Sequence, residues 1–283
     1  AISILTTFGI LFSILFEAIE FFQLRSFWYF LTGTIWSPGV ANSQFGALPI
    51  FAGTFVITII ALLVAIPIGL GSAIYMSEYA SPKFRDYLKP ILEILAGIPT
   101  VVYGFFAAIT VAPLVVKVAA FFGLEATFNS ALASGIVMGI MIIPLISSLS
   151  DDVIRAVPDS QRKAAFALGM THGETIKNIV IPSAMPGIIS ASLLALSRAL
   201  GETMIVVMAA GLRPNLSWNP LEDMTTVTVT IVNSLVGDFE FNSPETLSAL
   251  ALGLMLFIVT LILNMISLSL IRKFKEKYKV NTL

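Results

Sequence analysis

The chain has 283 residues, of which 57% are hydrophobic and 12% charged, and its mean hydropathy of +0.94 is far above that of a soluble domain. A net charge of −1 gives no reason to expect a nucleic-acid partner. The absence of cysteine excludes disulfides and thiolate metal sites, and a single histidine, His172, argues against a histidine metal centre. We therefore predict an all-α, polytopic membrane protein in which residues 1–283 form one transmembrane domain.

Six apolar segments are long enough to cross a lipid bilayer, which takes about twenty residues for a helix. In chain order the predicted spans are 2–22, 49–79, 91–117, 131–150, 183–212 and 246–270. The long connections at 23–48 and 213–245 are predicted loops on one side of the membrane. In the first, Trp28, Tyr29 and Trp36 are typical of aromatic anchors at a membrane interface. In the second, the stretch 225–235 is compatible with a strand or a re-entrant piece, and its periodicity does not decide between them.

The third predicted span begins with residues that interrupt a regular helix. Gly97, Pro99 and Gly104 lie close to Thr100 and Tyr103. Irregular backbone at membrane depth is tolerated only where it meets protein or a water-filled cavity. Thr100 and Tyr103 are therefore candidates for a transport pathway, with helix packing as the alternative role of both side chains.

The segment 155–182 is the longest polar interruption with local order signals. Pro158 and Asp159 predict a helix start, and Gly169 predicts its end. Thr171 and Glu174 have the spacing of a capping box, so a second helix should begin there and end at Pro182. The first helix of this predicted hairpin is too apolar for a solvated surface and indicates a partner groove. His172 is expected in its solvated turn.

The distribution of basic residues predicts the orientation of the chain. The connection at 81–90, the hairpin and the C-terminal tail together hold 12 of the 16 lysines and arginines, whereas Arg25, Lys117 and Arg213 fall on the other side. By the positive-inside rule, both termini and the hairpin are predicted to be cytoplasmic. One basic residue, Arg198, is left inside a predicted span.

Arg198 and Glu202 form the only charged pair predicted within a span. They are four residues apart, so a continuous helix would place them on one face. A charge at the centre of a membrane helix costs at least about 2.5–3.5 kcal/mol and calls for a partner. Two interpretations remain open on these residues. The pair is either a structural ion pair or a site where the planar guanidinium of Arg198 binds an oxyanion and Glu202 orients it.

The hairpin also resembles the coupling loop of ABC-importer permeases. The run AAFALGMTHGETIKNIVIP carries the family's spacing of two alanines, a glycine and an Ile-x-aliphatic-Pro ending, with Lys163 where a glutamate is usual. The resemblance implies a type I importer (MetI-like) architecture in which this loop sits in a cleft of an ATPase subunit. The residues it assigns to ATPase coupling are Ala164, Ala165, Phe166, Gly169, Thr171 and Glu174.

Two further stretches, SRALGETMIV and AGIPTVVYGF, are similar to segments of phosphate-importer permeases. Met204 after the GET run resembles the PstC type of permease rather than the PstA type. The resemblance implies import of inorganic phosphate, with Arg198 and Glu202 as the transport-critical pair. Thr100, Tyr103, Ser197 and Thr203 are further pathway candidates, and no catalytic or metal-binding residue is implied.

The resemblance also implies partners. They are a second, PstA-like permease, a PstB-like ATPase dimer and an extracytoplasmic PstS-like phosphate-binding protein, all at a prokaryotic plasma membrane. The chain has no phosphate-binding G-x-x-x-x-G-K-S/T run, so ATP and Mg²⁺ are expected on the separate ATPase subunit.

Other functions are weighed against this one. A sulfate or molybdate permease is the nearest rival, followed by a secondary anion transporter or a channel. A membrane enzyme is disfavoured because the spans offer no Ser/His/Asp set, and Glu17, Glu20, Glu78 and Glu93 are interpreted as solvated or interfacial charges near the span ends.

Overall fold

A computed structural model of the chain describes residues 2–39, 42–236 and 243–277. Parts of the predicted loops at 40–41 and 237–242, and Lys279 of the basic tail, lie outside the described residues. The secondary structure is almost entirely helical, apart from two short antiparallel strands in which Trp36 pairs with Phe45. The elements are α1 (Ile2–Leu24), α2 (Phe27–Thr32), β1 (Trp36–Ser37), β2 (Gln44–Phe45), α3 (Leu48–Tyr79), α4 (Pro82–Gly97), α5 (Thr100–Phe121), α6 (Ala131–Arg155), α7 (Asp159–Ala167), α8 (His172–Leu200), α9 (Met204–Ala209), α10 (Val227–Val236) and α11 (Pro244–Lys277).

Within this described part, six helices are long and apolar enough to cross a membrane, namely α1, α3, α5, α6, α8 and α11. The predicted number of spans is confirmed, but two boundaries are wrong. The segment predicted as one span at 91–117 is divided, because Ile98 and Pro99 leave the helix between α4 and α5. The fifth span ends at Leu200 rather than at residue 212. The stretch at 225–235 is mostly helical, which excludes the strand alternative.

Wider helical turns precede two of the internal prolines. In α5 a π-helical turn spans Ala107–Val111, two residues before Pro113, and in α8 another spans Ile176–Val180, two residues before Pro182. Local π adjustments allow a membrane helix to re-satisfy backbone groups that a proline leaves without a partner. The prediction that the second hairpin helix ends at Pro182 is therefore wrong, and α8 continues through it to Leu200.

The chain forms two compact units. The first consists of Ala1–Ile59, Thr100–Val137 and Leu200–Leu261. Edge-to-face aromatic pairs lie in its core, where the ring centroids of Phe21 and Phe30 and those of Phe21 and Phe45 are 5.5 Å apart. Trp36 packs on Phe45 at 5.7 Å and is only 8% exposed, so this residue belongs to the core rather than to the predicted aromatic anchors. Trp28, at 73% exposure, remains compatible with an anchor.

A close approach between α5 and α9 also shapes this unit. A methyl group at Gly104 would lie 2.7 Å from the Met208 sulfur and 3.1 Å from the Met204 carbonyl oxygen. Glycine at this position therefore lets the short helix α9 lie directly against α5.

The second unit consists of Ile60–Pro99, Met138–Ala199 and Ile262–Leu283. Here the C-terminal part of α3 packs against α6, and α6 packs against α8. Glycines allow both contacts, since a methyl group at Gly69 would lie 2.9 Å from Ile146, and one at Gly187 would clash with Val153. The apolar side chains of Ile154, Val180 and Ile188 belong to a buried cluster of this unit, next to the hairpin.

Candidate functional site

The predicted hairpin at 155–182 is present, and local hydrogen bonds build its turn. Helix α7 begins after Pro158, although the Asp159 carboxylate does not cap it and contacts Arg162 instead. Gly169 follows the helix with a φ of +82°, a conformation that favours glycine. The Gly169 amide donates to the Phe166 carbonyl at 2.9 Å, and the next amide donates to the carbonyl of Ala165 at 3.2 Å. This is the Schellman pattern, so the predicted helix end at Gly169 is confirmed.

The second helix of the hairpin starts at the predicted capping box. The Thr171 hydroxyl accepts from the Glu174 amide at 3.4 Å, and the Thr171 amide donates to the Glu174 carboxylate at 2.8 Å. Two of the backbone N–H groups at this helix start, those of Thr171 and Glu174, thereby find acceptors. Because α8 runs from this cap to Leu200, the second arm of the hairpin and the fifth span are one helix.

A buried ion pair holds the hairpin against the end of α3. Arg162 Nη2 lies 2.8 Å from Glu78 Oε1, and the two side chains are 16% and 6% exposed. Glu78 was expected to be a solvated or interfacial charge. It lies at the end of a span, but its carboxylate is paired and not solvated. Arg162 had no predicted role, because a single sequence carries no signal that pairs residues 84 positions apart.

Arg162 also closes the end of α6. Its guanidinium donates to the carbonyl of Ile154, in the last turn of α6, at 3.0 Å and to the carbonyl of Val157, just after the helix. On the other side of Glu78, His172 Nε2 lies 3.7 Å from its Oε2. The His172 ring packs edge-on against Tyr79 at 5.0 Å. His172 is therefore part of the contact between hairpin and α3 and not only a solvated turn residue.

Apolar side chains of the hairpin are exposed in the described part of the chain, although the Phe166 ring lies 6.2 Å from the His172 ring. Leu168 is 85% exposed and Phe166 is 45% exposed, whereas Ala165 is buried. Between α7 and the start of α8 lies a groove of about 350 Å³, lined by residues that include Ala164, Leu168, Ile179 and Pro182. An exposed apolar surface of this kind marks a protein interaction site.

Arg198 lies two positions before the end of α8, on the same helix as the hairpin's second arm. Its side chain is exposed and makes no hydrogen bond or ion pair within residues 2–39, 42–236 and 243–277. The guanidinium can therefore offer all of its donors to a ligand.

Glu202 is placed differently from the prediction. Helix α8 ends at Leu200, so Glu202 is not on a shared helical face with Arg198, and the prediction of a one-turn pair on one helix is wrong. Glu202 is 8% exposed, and its Oε1 accepts from the amides of Met204 at 3.1 Å and Ile205 at 3.5 Å. The carboxylate thus caps α9 and is stabilised by backbone donors.

A threonine cluster fixes the turn that contains Glu202, and no local pattern predicts it. The Thr228 hydroxyl donates to the Glu202 carbonyl at 2.8 Å. At the start of the same helix, the Val227 amide donates to the Thr54 hydroxyl at 3.0 Å. Helix α10 therefore joins α3 to the Glu202 turn within the first unit.

The remaining pathway candidates are spread over both units. Thr100 begins α5, Tyr103 is 8% exposed within it, and Thr203 precedes α9 without a side-chain cap bond. Ser197 is half-buried on α8 in the second unit. Their role in transport stays a prediction.

The connection after α9 folds onto the start of α6. The Ala131 amide donates to the Glu222 carbonyl at 3.0 Å, and the Leu132 amide donates to the Pro220 carbonyl at 2.8 Å. Hydrogen bonds from the side chains of Ser217, Asn215 and Asn219 hold the pKa of Glu222 below its usual value. Trp218 is 74% exposed on this loop.

Comparison with known proteins identifies the class. Residues 65–279 match the family described as "Binding-protein-dependent transport system inner membrane component". The chain belongs to this family of importer permeases. Its members are transport subunits, which confirms the prediction that the chain is not an enzyme.

The relatives are more specific. The chain is 35% identical over 251 residues to the probable ABC transporter permease YqgH of Bacillus subtilis, which covers 89% of this chain and 78% of that one. It is 35% identical over 252 residues to the phosphate transport system permease PstC of Mesorhizobium japonicum, with coverages of 83% and 75%. PstC 1 of Mycobacterium tuberculosis is 32% identical over 276 residues, with coverages of 87% and 82%. The predicted resemblance to PstC-type permeases is confirmed.

Solved structures show the same fold at low identity. An importer of the polysaccharide alginate matches with a TM-score of 0.59 at 15% identity, over 96% of this chain and 98% of that one. The MetNI methionine transporter matches with a TM-score of 0.57 at 15% identity, over 81% and 94%. The predicted MetI-like architecture is confirmed.

Proposed function

We propose that residues 1–283 act as one permease domain of an ATP-driven phosphate importer and form the translocation path with a second permease. The observation that carries this proposal is the identity of 32–35% to PstC-type phosphate permeases over more than four-fifths of the chain. The guanidinium of Arg198, which has no partner among the described residues, is consistent with an anionic cargo.

In this proposal Arg198 binds the phosphate. A guanidinium presents parallel N–H donors that match two oxygens of a phosphate, which a lysine ammonium cannot do. Glu202 lies in the turn before α9, where its buried carboxylate accepts hydrogen bonds from the Met204 and Ile205 amides, and its contribution to transport is proposed separately from that of Arg198.

We propose partners for two surfaces of the chain, the hairpin and the long loops. The exposed apolar side of the hairpin docks on a PstB-like ATPase dimer, which uses ATP and Mg²⁺, and the basic residues around the hairpin support a cytoplasmic location for it. A PstA-like permease completes the path, and a PstS-like binding protein docks on the opposite side, at the loops around 23–48 and 213–245. The chain contains no metal-binding cluster of three or more His, Cys, Asp or Glu among its described residues.

Transport then works by alternating access. ATP binding closes the ATPase subunits, and their movement displaces the hairpin. Because the hairpin's second arm and Arg198 belong to the same helix, that displacement reaches the phosphate-binding residue without an intervening hinge loop.

Uptake into proteoliposomes tests the function. With binding protein outside and ATP inside, labelled phosphate should accumulate, and excess sulfate or molybdate should leave the rate unchanged. Competition by either anion would assign the chain to another oxyanion. Uptake that persists without ATP would indicate a secondary transporter or a channel.

Replacing Gly169 with valine should uncouple ATP hydrolysis from the binding protein. An L-residue in the left-handed conformation costs about 1–2 kcal/mol, so the turn between α7 and α8 would change shape and the docking surface with it. The measurement is ATPase stimulation by phosphate-loaded binding protein.

Gly173→Val is the matched control for this prediction. Gly173 lies in the same hairpin with open space around it, as Gly169 does, but without a positive φ. Stimulation should therefore survive in this variant. Full stimulation in Gly169→Val would contradict docking through this turn.

A further inference from the structure

Helix α4 presents a separate apolar surface that the transport proposal does not use. The helix spans Pro82–Gly97 and is capped by the Ser81 hydroxyl, which accepts from the Phe84 amide at 3.3 Å. Its most exposed large side chains are Tyr87 at 77%, Ile94 at 69% and Ile91 at 51%. Such exposure of aromatic and aliphatic groups on one short helix calls for a covering partner.

Three faces can be distinguished on α4. At about 100° per residue, the exposed apolar side chains, with Phe84 and Leu95, fall within an arc of about 100°. Asp86 and Glu93 are exposed on a polar arc centred about 140° away from it. Division into an apolar and a charged arc is typical of a helix lying at a membrane surface.

The third face turns inward and pairs Arg85 and Lys89, whereas the third basic residue of the helix, Lys83, is exposed beside the apolar arc. Arg85 Nη2 lies 2.6 Å from Asp151 Oδ2, a carboxylate that is only 1% exposed. Lys89 Nζ lies 3.0 Å from Asp152 Oδ1. The exposed apolar arc therefore carries none of these charges, and α4 is fixed to the end of α6 just before the hairpin.

The ends of the helix place it at the level of the bilayer surface. Along the chain, α4 starts three residues after α3 ends, and α5 starts three residues after α4 ends. Helix α5 spans Thr100–Phe121, and its 22 residues measure about 33 Å. A hydrocarbon core is about 30 Å thick, so α5 needs nearly all of its length to cross and must begin at the boundary.

The apolar arc is also continuous with the membrane-crossing surface of α3. The Phe84 ring meets Tyr75 of α3 edge-on at 6.1 Å, and Tyr75 and Tyr79 are 51% and 55% exposed. Tyrosines at the end of a span are enriched at the boundary between headgroups and acyl chains. The aromatic side chains thus extend from the end of the span onto α4.

We infer that α4 is a membrane-surface helix whose apolar arc lies in the leaflet on the hairpin side, at the boundary between headgroups and acyl chains. Asp86 and Glu93 then face water. Through the Arg85–Asp151 pair, this helix holds the end of α6 at the membrane surface and gives the hairpin a fixed base. The placement does not depend on which anion the protein transports.

Spin labels at single cysteines test this inference in the assembled, reconstituted transporter. The chain has no cysteine of its own, so Tyr87→Cys, Ile94→Cys, Asp86→Cys and Glu93→Cys each give one site in it. The same complex without an introduced cysteine supplies the background from other subunits. All four side chains are exposed, so the substitutions should not disturb packing. Collision with oxygen, which concentrates in the bilayer, is compared with collision with a water-soluble nickel chelate.

The labels at Tyr87 and Ile94 should meet oxygen and lose contact with the nickel chelate, and those at Asp86 and Glu93 should show the reverse. Equal access of the chelate to all four would place α4 in water and overturn the inference. Labels at Tyr87 and Ile94 that neither reagent reaches would show that another protein chain covers the arc, and this result would overturn it as well.

Discussion

Replacing Arg198 with glutamine is expected to abolish phosphate uptake while the transporter still assembles. Glutamine keeps an amide donor but loses the charge and the fork of parallel N–H groups. Hydrogen bonds to charged groups contribute about 1.5–3 kcal/mol each. Losing two of them therefore lowers uptake by roughly a hundredfold or more. Initial rates of ATP-dependent uptake into proteoliposomes measure this effect, and co-purification of all subunits measures assembly.

Two further variants separate charge from geometry. Arg198→Lys keeps the charge without the fork and should give an intermediate rate. Lys117→Gln removes one positive charge from an exposed position on α5 and should transport like the unmodified protein. Normal uptake by Arg198→Gln would remove Arg198 from the phosphate path, although the family and fold would stand.

Replacing Arg162 with glutamine is expected to detach the hairpin from its base. The change leaves the Glu78 carboxylate, 6% exposed, without its cation, and it also removes donors from the carbonyls of Ile154 and Val157. Removing one partner of a buried pair typically costs about 3–5 kcal/mol. We expect a lower unfolding midpoint of the purified complex and loss of ATPase stimulation by the binding protein.

A second substitution should reverse much of this effect. Adding Glu78→Gln to Arg162→Gln removes the uncompensated charge, so most of the lost stability should return. Lys163→Gln changes the neighbouring, exposed charge and should leave the unfolding midpoint nearly unchanged. An unchanged midpoint in Arg162→Gln would show that the ion pair does not hold the hairpin.

Features whose partners are close along the chain could be predicted from the sequence. The helix end at Gly169 depends on a backbone conformation that favours glycine, and the capping box depends on Thr171 and Glu174, three residues apart. Six spans follow from the same kind of local information, because hydropathy depends only on composition within a window.

Features that depend on distant contacts or on small changes of helix geometry could not be predicted from the sequence. Arg162 contacts Glu78 only in the folded chain, and no sequence pattern near either residue predicts this contact. The continuation of α8 through Pro182 depends on a wider turn at 176–180, whereas the rule for proline assumes a regular helix. The break after Leu200 moves Glu202 away from the face that a regular helix would give it.

Helix α4 is a different case, because its pattern was present in the sequence. The periodicity of Tyr87, Ile91 and Ile94 indicates an amphipathic helix. The prediction instead divided this helix between the basic connection at 81–90 and the span at 91–117. An amphipathic period should therefore be tested separately wherever a span prediction begins next to lysines and arginines.

The unbroken course of α8 has a mechanical consequence. Its 29 residues, His172–Leu200, form a rod about 43 Å long. With a pivot near one end, a tilt of about 10° moves the far end of such a rod by about 7 Å, more than the diameter of a phosphate ion. If the proposed path has a narrow barrier at Arg198, a small rotation imposed at the hairpin end of α8 would be enough to carry the guanidinium across it.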